Sequence, residues 1–204
     1  MQPVIISDVG GVLFSLDKKS MSAGIAKYSE LSLAEVYGYF SKPRLDGVDN
    51  LFGRGLITAE EFYSSLCSSL RLSGLSFEGF ARIYCNIFER KEDTIALLRQ
   101  LSKKHALALL SNTDALHHGK WSRLLGRDLQ LFKEAVLSFQ VHSVKPEPAI
   151  YLEATRLLGV RPEQCIYIDD LEENAVAASK VGMKGIAFAS AAQLKSDLAR
   201  IGVL

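Results

Sequence analysis

Short apolar runs alternating with helix-length stretches organise most of the chain. The first run is Val4-Ile5-Ile6-Ser7, whose β-branched residues suit a buried strand ending at Asp8. Further runs are Ala106 to Leu110, Ala135 to Ser138, Cys165 to Ile168 and Gly185 to Phe188. Each is brief and mostly apolar at successive positions, as strands covered on both faces are. Helix-like stretches fall between them: Asp93 to Lys103, Ala115 to Leu125, Pro146 to Leu158 and Glu173 to Val181. Strand following helix in succession predicts a doubly wound α/β sheet, three layers deep.

Between about residues 16 and 90 no strand pattern stands out, and helical signals take over. Ser32-Leu33-Ala34-Glu35 has capping-box form, a hydroxyl three residues before a glutamate, and Thr58-Ala59-Glu60-Glu61 repeats it. After Thr58 the spacing of Phe62, Leu66 and Leu70 puts them on one helix face. Gly53 and Gly55 mark the turn before that helix. A helical lobe over 16–90 is therefore expected, inserted into a core made of 1–15 and 91–204, with hinges near 14–17 and 88–93. Tyr37, Tyr39, Phe40, Phe62 and Tyr63 are expected in the lobe's interior.

Composition changes little in this picture. The 204 residues fit one compact domain with a small insertion, and 48% hydrophobic residues suffice for a substantial core. A formal charge of +1 gives no reason to expect broad electrostatic attraction to nucleic acid or acidic membranes, and no long basic run is present. No apolar run approaches the roughly 20 residues that cross a bilayer, and no basic start with a small-residue cleavage site is present. A cytoplasmic protein with no nucleic-acid or membrane partner, monomeric or homodimeric, is the expectation. Cys67, Cys85 and Cys165 form no CxxC pair and read as buried thiols.

Candidate chemistry lies where the strands end, since ligands of an open parallel sheet bind beyond its carboxyl edge. After the first strand comes Asp8-Val9-Gly10-Gly11-Val12, after the second Ser111-Asn112-Thr113, after the third Lys145-Pro146-Glu147-Pro148, and after the fourth Asp169-Asp170. Singly, these are ordinary turn formers, helix caps and surface charges. Together they bring carboxylates, a hydroxyl and an ammonium to one rim. Hard cations take carboxylate and carbonyl oxygens, phosphate takes positive charge and N–H or O–H donors, and an aspartate can attack phosphorus.

These segments, Ile-Ile-Ser-Asp8-Val-Gly-Gly-Val-Leu, Leu-Leu-Ser111-Asn-Thr, Lys145-Pro-Glu-Pro and Tyr-Ile-Asp169-Asp170, resemble in order the four motifs of the haloacid dehalogenase superfamily. Phe52 to Phe62 resembles a segment of the small helical cap found in one of its subgroups, and the chain is similar to bacterial glucose-1-phosphate phosphatases. The resemblance implies a three-layer Rossmann-like core under a helical cap, and hydrolysis of a small phosphorylated metabolite, a sugar phosphate among the candidates. It implies Asp8 as nucleophile. It implies Mg2+ held by Asp8, the Gly10 carbonyl, Asp169 and Asp170. It also implies phosphoryl binding by Ser111 and the Asn112 backbone, and charge neutralisation by Lys145. Most phosphatases of the superfamily carry a general acid–base aspartate two residues after the nucleophile; Gly10 stands there instead. A leaving group that needs no acid, a proton donor from the cap or substrate, and a slow enzyme or binding module all remain open. A metal-free haloacid dehalogenase would leave Asp169-Asp170 without a purpose. A phosphonatase would need a cap lysine, for which Lys18, Lys19, Lys27 and Lys42 lie in the right region. His117 and Trp121 share a helix face that would border the substrate entrance, whereas His118 reads as packing or a solvated helix end.

Overall fold

The computed structural model describes residues 2–41 and 47–204; Lys42 lies outside the described residues. β1 (Val4–Ser7) and β2 (Phe14–Leu16) are followed by α1 (Lys18–Ala26), α2 (Leu33–Ser41), α3 (Val48–Gly53), α4 (Ala59–Ser69) and α5 (Phe77–Tyr84). β3 (Phe88–Arg90) leads into α6 (Glu92–Leu101), β4 (Leu107–Ser111), α7 (Ala115–Leu125), β5 (Phe132–Leu137) and the one-turn α8 (Ser138–Val141). The remaining elements are α9 (Pro148–Leu158), β6 (Cys165–Asp169), α10 (Glu172–Lys180), β7 (Lys184–Ala187) and α11 (Ala191–Arg200).

Five parallel strands pair in the order β5-β4-β1-β6-β7. All four residues of β1 are buried, as the central position demands. The chain lays β4 and β5 on one side of β1 and then crosses to place β6 and β7 on the other. Strand order thus reverses beside β1, and a crevice opens past the carboxyl ends of β4, β1 and β6. Alternate strand residues supply the two faces. Ile5, Leu107, Leu109, Ile166 and Ile168 pack with Ile95, Leu98, Trp121, Leu194 and Leu198 from α6, α7 and α11. Ile6, Ala108, Leu110 and Tyr167 pack with Ile150, Tyr151, Ala154 and Ala178 from α9 and α10. This is a mixed α/β fold of three layers.

Helices α1 to α5 enclose a cluster of their own, in which Phe52 stacks on Phe62 at 4.5 Å between ring centroids and Leu66 and Leu70 are buried. Both foreseen capping boxes form. The Thr58 hydroxyl accepts from Glu61 N at 3.1 Å, and the Ser32 N–H donates to Glu35 at 2.8 Å.

Several expectations need correction. Strands β2 and β3 form an antiparallel ribbon, Leu16 opposite Phe88, that the sequence pattern did not reveal; three residues are too few to show a period. Helix α9 starts at Pro148 rather than Pro146, because the chain first makes a turn in which Glu147 N donates to Val144 O at 2.9 Å. Helix α11, capped by Ser190 and anchored by Leu194 and Leu198, was not foreseen. Cys165 is buried, but Cys67 and Cys85 are only half-buried; Cys67 comes directly after Leu66 on α4 and so turns away from the face that Leu66 buries. Tyr37 is 42% exposed because α2 buries Val36 and turns its neighbour outward. Among the described residues, no helix is long and apolar enough to cross a membrane.

Candidate active site

Asp8 comes directly after β1, and its N–H donates to the Ile168 carbonyl at 2.8 Å, which fixes it at the carboxyl edge beside β6. Lys145 reaches it from the loop after α8. Its Nζ donates to Asp8 Oδ1 at 2.7 Å, to Asp169 Oδ2 at 2.7 Å and to the Leu110 carbonyl at 3.3 Å. The ammonium thus takes one acceptor from the end of each of three strands. Asp169 is fully buried, and its remaining capacity is also used. Tyr167 OH donates to Oδ2, while Leu171 N and Asn174 Nδ2 donate to Oδ1 at 2.9 and 3.1 Å. Buried charges persist only with such complete partnering.

Burial pushes the Asp8 carboxyl up to about 6; Lys145 opposes the shift and the Asp169 charge adds to it. Burial alone would depress the Lys145 ammonium, but the two carboxylates outweigh it and hold it above its ordinary value. Asp170 is also raised, by burial first and by Asp169 second. Carboxylate oxygens of Asp8, Asp169 and Asp170 come within 4.8 Å of one another. Asp170, unlike Asp169, lines the cavity. Gly11 makes this approach feasible, since a Cβ there would overlap the Asp170 carboxylate, and its φ of +75° is one a side chain would resist.

The cavity has a volume of about 520 Å³ and is walled by Asp8, Gly10, Asn112, Lys145 and Asp170 on the sheet side and by residues of the helical lobe opposite. Asn112 spends its side chain on the backbone of Lys145: Nδ2 donates to Lys145 O at 2.9 Å and Oδ1 accepts from Lys145 N at 2.8 Å. It therefore holds the lysine loop in place. Ser111 ends β4, is 3% exposed and does not line the cavity.

Two polar seams join the lobe to the sheet domain. In the first, Tyr84 OH donates to Asp114 Oδ2 at 3.0 Å and His117 Nδ1 meets the same oxygen at 2.8 Å. Nε2 of His117 meets the Tyr84 carbonyl at 3.1 Å, and the two rings stack at 4.1 Å. His117 does border the cavity, but Trp121, expected beside it, is 1% exposed in the sheet-domain core. His118 packs on Trp121, and burial lowers its pKa. Lys18 lines the cavity, whereas Lys19 and Lys27 are not among its walls.

In the second seam Arg54 forms a two-pronged ion pair with Glu147, and Ser138 Oγ donates to Gly53 O at 2.6 Å. The guanidinium holds Glu147 down to about 2. Side-chain exposures of 21% and 42% leave such a pair about 0.5–1 kcal/mol after solvent screening. Arg54→Met is expected to lower the melting temperature by about 2 °C, with Glu147→Gln adding nothing on that background. Additive losses in the double variant would show that the two side chains act apart.

Asn174, Tyr167 and Leu16 were not singled out from sequence. Asn174 carries the one available signal, a position on the first turn of a helix that opens just after Asp169-Asp170.

Residues 4–182 match the haloacid dehalogenase-like hydrolase family, and the chain belongs to that family. It superposes on a haloacid dehalogenase family enzyme of Bacteroides thetaiotaomicron in complex with magnesium with a TM-score of 0.80, at 25% identity and over 98% of both chains. It is 25% identical over 190 residues, 88% of each chain, to D-ribitol-5-phosphate phosphatase of the same organism. It is 44% identical over 59 residues, 29% of this chain, to flavin mononucleotide hydrolase 1 of Arabidopsis thaliana, of which it spans 24%. The chain likewise spans less than half the length of the other curated relatives it first matches.

Proposed function

We propose that the protein is a magnesium-dependent phosphomonoester hydrolase that forms an aspartyl-phosphate on Asp8 and acts on a small phosphorylated metabolite, a sugar phosphate among the candidates. The carrying observation is the Lys145 ammonium lying 2.7 Å from both Asp8 and Asp169 on the floor of a cleft under a helical lobe. The relatives add support, since a sugar-alcohol phosphate phosphatase aligns over most of its length.

The donor set fits a hard divalent cation. It consists of oxygens alone, with three carboxylates gathered around a single ammonium. Asp8, the Gly10 carbonyl and Asp170 would hold Mg2+, with Asp169 contributing its charge from behind. Bound there, the cation would withdraw charge from the phosphoryl oxygens. The protein's own groups do the rest. Asp8 Oδ attacks phosphorus. Lys145 neutralises charge between that carboxylate and the phosphoryl group, the Asn112 backbone, at the cavity wall, binds the group, with Ser111 buried behind it, and the lobe keeps water out.

The test is hydrolysis of glucose 1-phosphate, ribitol 5-phosphate, acetyl phosphate and an aryl phosphate with and without Mg2+. Turnover that needs the metal supports the reading, and turnover indifferent to chelation sinks it.

Asp8 gives this reading a pH signature. Its folded pKa, about 6, lies above the ordinary 3.8, so its contribution favours the folded state at low pH and is lost as pH rises through 6. A cation needs the ionised form, and its binding expels the proton. The gain in melting temperature on adding Mg2+ should therefore grow from pH 5 to pH 7. A gain constant across that interval would contradict the assignment of Asp8 as a ligand.

A further inference from the structure

The sheet side of the cleft offers no proton to a departing oxygen. Gly10, two residues beyond Asp8, lines the cavity without a side chain, and the direction a Cβ would take leads to Leu16 Cδ1 at 3.1 Å. Leu16 is held there by the ribbon, paired with Phe88, and it lines the cavity together with the apolar Met21 and Ile87. We infer that Leu16, by filling the space beside Gly10, restricts this site to phosphates whose leaving oxygen is less basic than that of a simple alcohol: acyl, aryl or anomeric phosphates. The inference rests on the reading of Asp8 as nucleophile.

The other candidate donors in the wall are already committed. Both Asp114 oxygens are taken, Oδ1 by the His117 N–H and Oδ2 by Tyr84 OH and His117 Nδ1. Burial would raise the Asp114 carboxyl, but the charge and hydrogen bonds of His117, together with the Tyr84 hydroxyl, outweigh it and lower its pKa, so the ionised form is favoured. The Tyr84 hydroxyl points its proton at that carboxylate. Both ring nitrogens of His117 are engaged, one by Asp114 and one by the Tyr84 carbonyl. The Lys145 protons are shared among Asp8, Asp169 and Leu110. Lys18, Asp49 and the Ser41 hydroxyl, which has no hydrogen-bond partner among the described residues, lie across the cleft on the lobe and are the remaining wall groups to test.

The step balances without a protein acid. A bond forms from Asp8 Oδ to phosphorus as the bond from phosphorus to the leaving oxygen breaks. The electron pair stays on that oxygen, which departs as an anion and later takes a proton from water. Water then attacks the phosphorus of the aspartyl-phosphate, the carboxylate leaves with its electron pair, and the water proton passes to solvent. The second stage is common to all substrates, so kcat/KM reports the first.

The experiment measures kcat/KM of the Mg2+-loaded protein on aryl phosphates whose phenols span several pKa units, with Asp8→Asn as control. The expected result is a fall on the order of tenfold per unit of phenol pKa, with simple alkyl phosphates barely turned over. In Gly10→Asp/Leu16→Ala the slope should flatten and alkyl phosphates should gain roughly 10²-fold. The native slope decides the matter even if that variant fails to fold. A shallow native slope overturns the inference, and one that steepens in Asp49→Asn, Lys18→Met or Ser41→Ala also moves the proton donor to the lobe. No turnover of even the most activated ester overturns it too. Hydrolysis that survives in Asp8→Asn would remove the nucleophile reading itself, a distinct outcome.

Discussion

Asp8→Asn is expected to cut kcat/KM by on the order of 10⁵-fold with little change in fold. The carboxamide keeps the shape of the side chain and its place beside Lys145, but it is a poor nucleophile toward phosphorus. Melting temperature should hold or rise slightly near pH 7, because a group whose charged form is disfavoured by burial is replaced by a neutral one. Acid-quenched wild-type protein should carry a phosphoryl group detectable by mass after mixing with substrate, and the variant should carry none. Retained turnover, or a trapped phosphoryl group on another residue, would move the chemistry elsewhere.

The second large effect is expected from Lys145→Met. The ammonium is 2% exposed and faces side chains of 9% and 0% exposure. Methionine leaves two buried carboxylates opposed with no cation between them, a loss of about 3–5 kcal/mol when one partner of a buried pair is removed. For a chain of this size that is roughly 10 °C of melting temperature. The same groups set the sign with pH. Lys145 lowers the Asp8 pKa, so its removal raises it further, and the metal-free variant should lose more stability at pH 7.5 than at pH 5. Activity should fall by about 10²–10³-fold through lost stabilisation of the transferring phosphoryl group. Equal destabilisation at both pH values would show that the pairing with Asp8 contributes little to the fold.

Much of this architecture could be read before the structure because buried parallel strands are apolar at every position. Val4–Ser7 and the run from Cys165 stand out for that reason, and topology alone then places the carboxylates at their ends, Asp8 and Asp169-Asp170, on a ligand-binding edge. The physics that remained hidden is pairwise and distant. Arg54 and Glu147 are 93 residues apart and carry no mutual pattern. Leu16 touches the space beside Gly10 only because a three-residue ribbon fixes its register. The amide of Asn112 turns toward the Lys145 backbone instead of into the cleft, a choice set by where β4 ends relative to the lysine loop. The proline pair at 146 and 148 gives the same helix-start signal twice, and only the intervening turn decides between them.

The antiparallel ribbon has one more consequence. Leu16 and Phe88 face each other across it, so the chain enters and leaves the helical lobe at two neighbouring residues. In the topology of the chain the lobe is a side branch whose ends already meet, and closing it costs only about 0.6 kcal/mol more for each doubling of the branch's length. It can lengthen, shorten or be exchanged for a tight hairpin without altering any distance the five parallel strands must span. The Asp8 carboxylate belongs to the trunk, and the wall on the far side of the cleft belongs to the branch, so one can stay constant while the other is rewritten.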